Sequence, residues 1–235
     1  MVNIINEAGL FEVKTVDHPI EFVSPNIACV AVTFTTQEIN VLDFQHYAII
    51  PPARLMDMVE KRRCEYLAGR ISAHIALERI NIREEQVVRA ESGCPIWPQG
   101  IIGSITHTDS LAISCVSRVE NAVALGVDAE EILSDVLARE LAPQLLTVQD
   151  KRCATLLPFN HFVTFIFSAK EAIYKALYPC VGVFFGFEAV SLVELNETVA
   201  VFEVQEHLSD QWQKGSIVKV NYVRTDSMIY SFVHF

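Results

Sequence analysis

The chain has 235 residues, enough for one large domain or two smaller ones sharing a core. Hydrophobic residues make up 51% of it and charged residues 20%, which excludes an intrinsically disordered protein. The net charge of −11 disfavours nucleic acid as a partner, because neutralising phosphates requires an excess of Lys and Arg. No apolar run reaches the length of a membrane span, and the N-terminus lacks the basic start of a signal peptide, so we expect a cytoplasmic protein without a membrane span.

The basic residues are concentrated in one part of this acidic chain. Eight of the 18 Lys and Arg residues lie between Arg54 and Arg89, whereas residues 1–50 contain only Lys14. A segment of this kind can hold a small polyanion, but it can equally be the solvated face of a helix. The charge count alone favours the solvated face.

A strand is predicted at 28–34 and a helix from about 54 to 80. Apolar residues four apart mark one buried stripe of that helix: Leu67, Ile71 and Ile75. Polar and aromatic residues with the same spacing mark a second face: Arg62, Tyr66 and Arg70. Arg63 lies seven residues before Arg70, so we expect it near the second face.

The later segments predict further strands and a second helix. Residues 111–117 and 122–127 have the pattern of a β-hairpin, and a helix is predicted from about Ser168 to just before Pro179. Further strand-like runs lie at 189–195, 217–223 and 229–233. The regular alternation of a doubly wound fold is missing, so the sequence predicts the α+β class.

Two acidic residues end the second predicted hairpin strand. Asp128 and Glu130 are two positions apart, so in an extended chain both carboxylates face the same side. A small set of hard oxygen ligands suits Mg²⁺, which completes its coordination with water and substrate phosphates. Two solvated acids at a strand end explain the same pattern, and the pattern alone is common.

The segment 167–176 has both a structural and a functional interpretation. Ser168 and Glu171 fit a capping box, and Glu171 with Lys175 forms a favourable i,i+4 pair. These two features are a complete structural explanation. In the functional interpretation, Glu171 is a third carboxylate for the metal, with Lys170 and Lys175 near a phosphate.

Residues 103–107 supply possible donors to phosphate oxygens. Ser104, Thr106 and His107 follow a glycine and can each donate a hydrogen bond. A Ser-His-Asp hydrolase is the rival interpretation, but the chain has no G-x-S-x-G nucleophile elbow. It also has neither a Walker loop nor a G-x-G-x-x-G loop for a nucleotide.

Together these segments resemble the phosphopantetheinyl transferases of the type that serves enterobactin and surfactin synthetases. The resemblance covers about 61–188, slightly over half of the chain, and its Trp-Pro and Thr-His variants are typical of the enterobactin branch. The matching segments are Lys61-Arg62-Arg63-x-Glu65-Tyr66-x-x-x-Arg70, Gly93-x-Pro95-x-Trp97-Pro98-x-Gly100-x-x-Gly103-Ser104-x-Thr106-His107, Gly126-Val127-Asp128-Ala129-Glu130, Phe167-Ser168-Ala169-Lys170-Glu171-Ala172-x-Tyr174-Lys175-Ala176 and Gly186-Phe187-Glu188.

The resemblance implies a fold and a reaction. The fold is α+β, with two similar α/β halves related by a pseudo-twofold axis, at 1–122 and 123–235, and an active site in the cleft between them. A monomer is sufficient for such an arrangement. The implied enzyme moves the 4′-phosphopantetheine arm of coenzyme A onto a serine of an acidic peptidyl, aryl or acyl carrier protein. Adenosine 3′,5′-bisphosphate is released, and siderophore biosynthesis is the implied pathway.

The resemblance also implies roles for individual residues. The Mg²⁺ ligands are Asp128, Glu130 and Glu171, and Glu171 is in addition the candidate base for the serine proton, directly or through a water. Lys170 and Lys175 contact the diphosphate, and Lys175 steadies the leaving group. The nucleotide end, with its 3′-phosphate, is held by Arg62, Arg70 and His107, with Ser104 and Thr106 as further phosphate donors.

One position departs from the family pattern. Ser92 precedes Gly93 where many relatives carry Lys, so a phosphate contact is lost unless Arg89 replaces it. We therefore include Arg89 among the candidate binding residues.

Two alternatives remain open at this point. One is a magnesium-dependent phosphohydrolase of a small nucleotide, which would use the same carboxylates with water as nucleophile. The other is a non-catalytic protein that binds coenzyme A or a carrier. Because carriers are usually acidic like this chain, we expect a carrier to dock through an apolar patch rather than by long-range attraction.

Overall fold

The computed structural model describes residues 13–16, 24–83, 86–91, 93–154 and 157–235. Ser92 lies outside these residues, so the departure at that position stays a sequence observation. The chain separates into two compact units, Met1–Val123 and Ala124–Phe235. Each unit has an antiparallel sheet with a long helix packed against it, which confirms the predicted α+β class.

The N-terminal unit has a four-stranded sheet in the order β1-β2-β6-β5. Helix α2 packs on this sheet against β2, β5 and β6, and β3 pairs separately with β4. The elements are β1 (Val13–Val16), β2 (Ala28–Phe34), α1 (Val41–His46), α2 (Glu60–Arg79), β3 (Val88–Arg89), β4 (Pro95–Ile96), β5 (Ile101–His107) and β6 (Leu111–Arg118).

Helix α2 buries the stripe that its sequence predicts. Leu67 and Ile71 are buried in the core of the N-terminal unit, and Ile75 packs against that core. The helix begins at Glu60 rather than near residue 54, because a separate 3-10 turn, Leu55–Asp57, precedes it.

Arg63 has a structural role in the N-terminal unit. Its Nε donates to the carbonyl of Met58 at 2.8 Å, and its Nη1 donates to the carbonyl of Ile39 at 3.2 Å. The side chain thus ties α2 to the segment just before its start and to the segment that precedes α1. The expectation that it joins the polar face of Arg62 and Arg70 is wrong.

The C-terminal unit has a five-stranded sheet in the order β7-β11-β10-β9-β8. Helix α4 packs against β7 and β11, and α3 packs against α4. Among the described residues no helix combines the length and apolarity needed to cross a bilayer. The elements are β7 (Leu125–Glu131), α3 (Asp135–Leu145), α4 (Phe159–Val181), β8 (Val190–Leu195), β9 (Val199–Val204), β10 (Ile217–Arg224) and β11 (Met228–His234).

The predicted hairpin between 111–117 and 122–127 does not form. Strand β6 pairs with β2 and β5, whereas β7 pairs with β11 in the other sheet. Strand β6 instead forms a hairpin with β5, which is closed by a short turn at 108–110. The prediction assumed that strands adjacent in the sequence pair with each other. The partner of β7 is instead β11, which lies about a hundred residues later.

Helix α4 is longer at both ends than predicted. It begins at Phe159, nine residues before Ser168, and ends at Val181, followed by the capping residue Gly182, whose φ of 75° lies in the left-handed region. Ser168 is buried inside the helix and its hydroxyl lies 3.0 Å from that of Ser231 on β11. The capping-box interpretation of 167–176 is therefore wrong, and Glu171 lies in the middle of the helix.

Each unit contains one of the two tryptophans of the chain. The Trp97 ring packs so closely over Gly103 that a Cβ there would come within 2.5 Å of it. Trp212 is buried in the core of the C-terminal unit, with its ring centroid 4.8 Å from that of Phe235. The surroundings of each tryptophan ring therefore depend on the packing of the unit that contains it.

Candidate functional site

The N-terminal unit contains a cavity of about 560 Å³ with cationic walls, which we call the basic pocket. Helix α2 supplies one wall, and the end of β5 with the β3–β4 turn supplies the others. Its lining residues are Asp57, Met58, Val59, Arg62, Glu65, Tyr66, Gly69, Arg70, Arg89, Gly93, Pro95, Ile105 and His107. Four predicted nucleotide-binding residues, Arg62, Arg70, Arg89 and His107, therefore surround one cavity.

Arg70 is a buried cation at this pocket. Only 8% of the residue is exposed, and its guanidinium carbon lies 4.5 Å from the centroid of the Tyr66 ring. Burial lowers the pKa of Arg70. Its Nε–H is buried without a hydrogen-bond partner among the described residues. An unsatisfied charged donor of this kind is costly unless an anion accepts from it.

Arg62 and His107 share one acidic neighbour. Arg62 Nη1 lies 2.8 Å from Glu65 Oε2, and His107 Nε2 lies 3.8 Å from the same oxygen. Arg62 and Glu65 are one helical turn apart, whereas His107 ends β5. The sequence predicted the two cationic residues but not the role of Glu65, although its i,i+3 spacing from Arg62 was a usable signal.

Arg89 reaches the pocket across Gly93. A Cβ at Gly93 would come within 3.2 Å of Arg89 Nη2, and the φ of 93° at Gly93 is readily adopted only by glycine. The β3–β4 turn thus leaves room for the guanidinium because residue 93 has no side chain.

Ser104 and Thr106 lie on the other face of β5. Side chains alternate along a strand, so these two residues point away from Ile105 and His107, which line the pocket. Both are buried. They are not among the lining residues of the basic pocket, and their contact with phosphate stays a prediction.

The C-terminal unit brings its candidate residues together where α4 lies on β7. Gly126 allows the close approach, because a Cβ there would collide with the carbonyl oxygen of Ala172 and come within 2.8 Å of the Ala176 nitrogen. Asp128 and Glu130 follow at alternate positions on the same strand face. Glu171 and Lys175 lie one turn apart on the facing helix.

Asp128 and Lys175 form a short ion pair between strand and helix. Lys175 Nζ lies 2.6 Å from Asp128 Oδ1 and also donates to the carbonyl of Val127 at 3.2 Å. The Asp128 side chain is buried, and about a quarter of the Lys175 side chain is exposed. The Lys175 ammonium thus offsets the negative charge of the buried Asp128 carboxylate.

The pKa values of Glu130 and Glu171 are raised because both side chains are buried near other negative charges. Burial and the nearby Asp128 raise the pKa of Glu130 to about 8, against the opposing effect of Lys175. Burial also raises the pKa of Glu171, with Lys175 opposing and Asp128 adding to the rise. The three carboxylates therefore interact, and one lysine does not neutralise them.

This donor set fits Mg²⁺ by its chemistry. It consists of carboxylate oxygens from two elements, and Mg²⁺ typically takes one or two protein carboxylates together with water and substrate phosphates. Within the described ranges, no three His, Cys, Asp or Glu side chains are already gathered as a metal cluster. The cation at Asp128 in this structure is the Lys175 ammonium.

Lys170 differs from its predicted role. Its ammonium is buried and donates to Asp150 Oδ2 at 2.7 Å and to the carbonyls of Leu145 and Phe187 at 3.0 and 2.8 Å. All three N–H donors are therefore used inside the unit. A diphosphate contact would break this network, so we replace the predicted contact with a structural role.

An aromatic cavity of about 280 Å³ lies beside Glu171. Its walls include Tyr174 and the segment after α4 with Phe184, Phe185 and Phe187. The Tyr174 ring packs against Phe184 and Phe185 with centroids 5.8 and 4.9 Å apart. The sequence analysis did not identify this cavity, although three phenylalanines within four residues were a usable signal.

The two units match two family models in tandem. Residues 51–117 match the 4′-phosphopantetheinyl transferase N-terminal domain. Residues 124–225 match the 4′-phosphopantetheinyl transferase superfamily. The matched ranges contain every candidate residue named above.

Curated relatives agree with the family models. Enterobactin synthase component D of Salmonella typhi is 38% identical over 147 residues, 62% of this chain and 60% of that protein. The protein of the same name from Escherichia coli K12 is 33% identical over 179 residues, 75% of this chain and 81% of that protein. The 4′-phosphopantetheinyl transferase Svp of Streptomyces mobaraensis is 32% identical over 147 residues, 60% of this chain and 58% of that protein.

The extent of these matches differs between relatives. The chain spans about 60% of the length of the Salmonella typhi protein but 81% of that from Escherichia coli. The match to the Escherichia coli protein extends over most of this chain and most of that protein at more than 30% identity. The two family models cover both units of the chain. The chain belongs to the 4′-phosphopantetheinyl transferase superfamily.

Proposed function

We propose that this protein transfers the 4′-phosphopantetheine arm of coenzyme A to a serine of an apo carrier protein and releases adenosine 3′,5′-bisphosphate. The observation that carries the proposal is the basic pocket, in which an acidic protein gathers three arginines and a histidine around one cavity. Family membership gives the reaction its chemistry. The relatives named enterobactin synthase component D favour a carrier of a siderophore assembly line. The proposed location is the cytoplasm, where coenzyme A and apo carrier proteins would meet the enzyme.

The N-terminal unit is assigned the nucleotide end of coenzyme A. The guanidinium groups of Arg62, Arg70 and Arg89 can grip phosphate oxygens with paired N–H donors. The buried Nε–H of Arg70 would find its acceptor there. Because Arg70 is buried and rests on the Tyr66 ring before the ligand arrives, it loses little side-chain entropy on binding.

The C-terminal unit is assigned the diphosphate and the reacting groups. Asp128, Glu130 and Glu171 would hold Mg²⁺, which offsets negative charge on the diphosphate when bound. Lys175 adds its positive charge beside Asp128 and stabilises the departing bisphosphate. The aromatic cavity beside Glu171 offers an apolar surface to the pantetheine arm.

The reaction is balanced by one proton transfer. The serine oxygen attacks the phosphorus that carries the pantetheine, and the bond from that phosphorus to the bridging oxygen breaks. Glu171 accepts the serine proton, directly or through a water, and burial that raises its pKa makes it a stronger base. Positioning and charge neutralisation account for most of the expected rate enhancement.

The test is to incubate the protein with coenzyme A, Mg²⁺ and an apo carrier domain, and to weigh the carrier by mass spectrometry. We expect a gain of one phosphopantetheine arm, and a loss of about 10²–10⁴ in rate for Glu171→Gln. The matched control is Glu131→Gln, which neutralises an exposed carboxylate on β7.

Three outcomes would contradict the proposal. One is no mass gain over a panel of peptidyl, aryl and acyl carriers. A second is release of the bisphosphate without any carrier, which would indicate a phosphohydrolase. The third is full activity in Glu171→Gln, which would remove Glu171 from the reaction.

A further inference from the structure

Glu65 places a negative charge in the pocket to which the proposed function assigns phosphates. Only 4% of the residue is exposed, and it lines the basic pocket beside Arg62, Arg70 and His107. A carboxylate in this place repels a bound phosphate, and the repulsion is stronger away from bulk water. If the pocket binds phosphate, a favourable effect of Glu65 must outweigh this repulsion.

The contacts of Glu65 define that role. Its Oε2 accepts a hydrogen bond from Arg62 Nη1 at 2.8 Å and lies 3.8 Å from His107 Nε2. The same oxygen is thus hydrogen-bonded to Arg62 on α2 and lies within ion-pair distance, though not hydrogen-bond distance, of His107 at the end of β5.

The Arg62 side chain requires a neighbouring group that holds it in one conformation. Its side chain is 63% exposed, whereas the Glu65 side chain is buried. A long exposed side chain that must be ordered by its ligand loses rotamer entropy on binding. Arg70 does not have this problem, because it is buried and its guanidinium rests on the Tyr66 ring.

We propose that Glu65 is a positioning residue that holds Arg62 and His107 as a pair directed at the 3′-phosphate of coenzyme A. This inference rests on the proposed function. Glu65 acts through its two neighbours and does not itself contact the phosphate. Its effect therefore belongs to the binding of a ligand that carries the 3′-phosphate, and not to the transfer step.

The test compares coenzyme A with dephospho-coenzyme A, which lacks only the 3′-phosphate, by isothermal titration calorimetry without added metal. We expect Glu65→Gln to weaken coenzyme A binding about tenfold, because Arg62 loses a charged partner. Dephospho-coenzyme A should bind the wild type and the variant within about twofold of each other. In turnover assays, the KM for coenzyme A should rise while kcat stays within about twofold.

A second comparison shows whether Glu65 acts through Arg62. In an Arg62→Ala background, Glu65→Gln should weaken coenzyme A binding by a clearly smaller factor than in the wild type, because the hydrogen-bonded partner is absent and only the longer contact with His107 remains. The matched control is Asp109→Asn, which breaks the exposed Lys61–Asp109 ion pair of the same unit outside the pocket, with Asp109 73% exposed. This control should bind both ligands like the wild type. Thermal unfolding of each variant establishes that it is folded.

The outcomes separate this inference from the proposed function. If the wild type binds neither ligand, the proposed function of the pocket is wrong, and the inference fails with it. If the wild type binds coenzyme A and Glu65→Gln binds it equally well, only the inference is wrong. Equal losses for both ligands would also overturn it, because they indicate a direct or merely structural role. Should Glu65→Gln fail to fold, Glu65→Asp, which keeps the charge but withdraws it by one methylene, decides by the same ligand contrast.

Discussion

Lys170 and Lys175 show how differently two lysines of one helix are used. They are five residues apart, which separates them by about 140° around an α-helix. Lys175 therefore meets Asp128 on β7, whereas Lys170 meets Asp150 and two carbonyls in the interior. Burial lowers the pKa of Lys170, and Asp150 opposes that shift. A motif that contains both lysines does not reveal this division, because Asp150 lies 20 residues away in a polar segment.

Glu130→Gln should stabilise the folded protein in the absence of Mg²⁺. The pKa of Glu130 in the folded state is about 8, against an ordinary value of 4.5, so between these pH values the folded state binds more protons than the unfolded state. Stability therefore falls as pH rises through this range. We expect the variant to raise Tm by about 2–4 °C above pH 8, with the gain vanishing as pH falls toward 4.5.

Differential scanning fluorimetry across this pH range measures the effect of Glu130→Gln. Glu131→Gln, at the exposed neighbouring position, should change Tm much less, because Glu131 is the smallest of the causes that raise the pKa of Glu130. A lower Tm for Glu130→Gln at high pH would show that the carboxylate stabilises the fold.

The contact of α4 with β7 is the element on which the C-terminal candidate site depends. It was predicted only in part. The strands at 28–34, 190–195 and 217–224 could be predicted because alternation and β-branched residues are local signals. The start of α4 could not, because Ser168 with Glu171 imitates a cap, and burial of Ser168 against Ser231 decides the matter. The pairing of β7 with β11 could not be predicted either, because the two strands lie far apart in the sequence.

Gly126→Ala tests the dependence of the site on this contact. The added methyl would collide with the backbone of α4 at Ala172, so the helix must move away from β7. We expect a loss of about 2 kcal/mol or more in the free energy of unfolding, measured with urea. Activity should fall as well, because Glu171 and Lys175 move with the helix.

Gly182→Ala is the control for Gly126→Ala. In Gly182→Ala the new methyl group would meet open space. The variant loses only about 1 kcal/mol in the free energy of unfolding, because alanine must adopt a left-handed backbone conformation there. An unfolding free energy for Gly126→Ala equal to or above that of this control would show that α4 adjusts without strain.

At the scale of the whole molecule, the chain combines a net negative charge with exposed apolar side chains. The net charge is −11, while three arginines and a histidine of the N-terminal unit line the basic pocket. Large apolar side chains remain exposed in the C-terminal unit, among them Val136, Val148 and Phe184, the last 80% exposed. Apolar surface of this kind can bind an acidic partner despite the like charge.

The affinity for an acidic carrier should accordingly depend little on salt. We expect the carrier KM to change by less than about threefold between roughly 0.05 and 0.5 M NaCl, because screening removes repulsion rather than attraction. Steady-state kinetics with saturating coenzyme A measures this. A steep rise of the carrier KM with salt would show that docking is driven by opposite charges.

The placement of the two tryptophans gives the protein a built-in optical label for each unit. Trp97 lies over Gly103 next to β5, and Trp212 lies against Phe235 in the other unit. Replacing one ring with phenylalanine leaves an emission spectrum that arises from one unit alone. Stopped-flow fluorescence of the two single-tryptophan proteins can thus follow the refolding of each unit separately, without attached dyes.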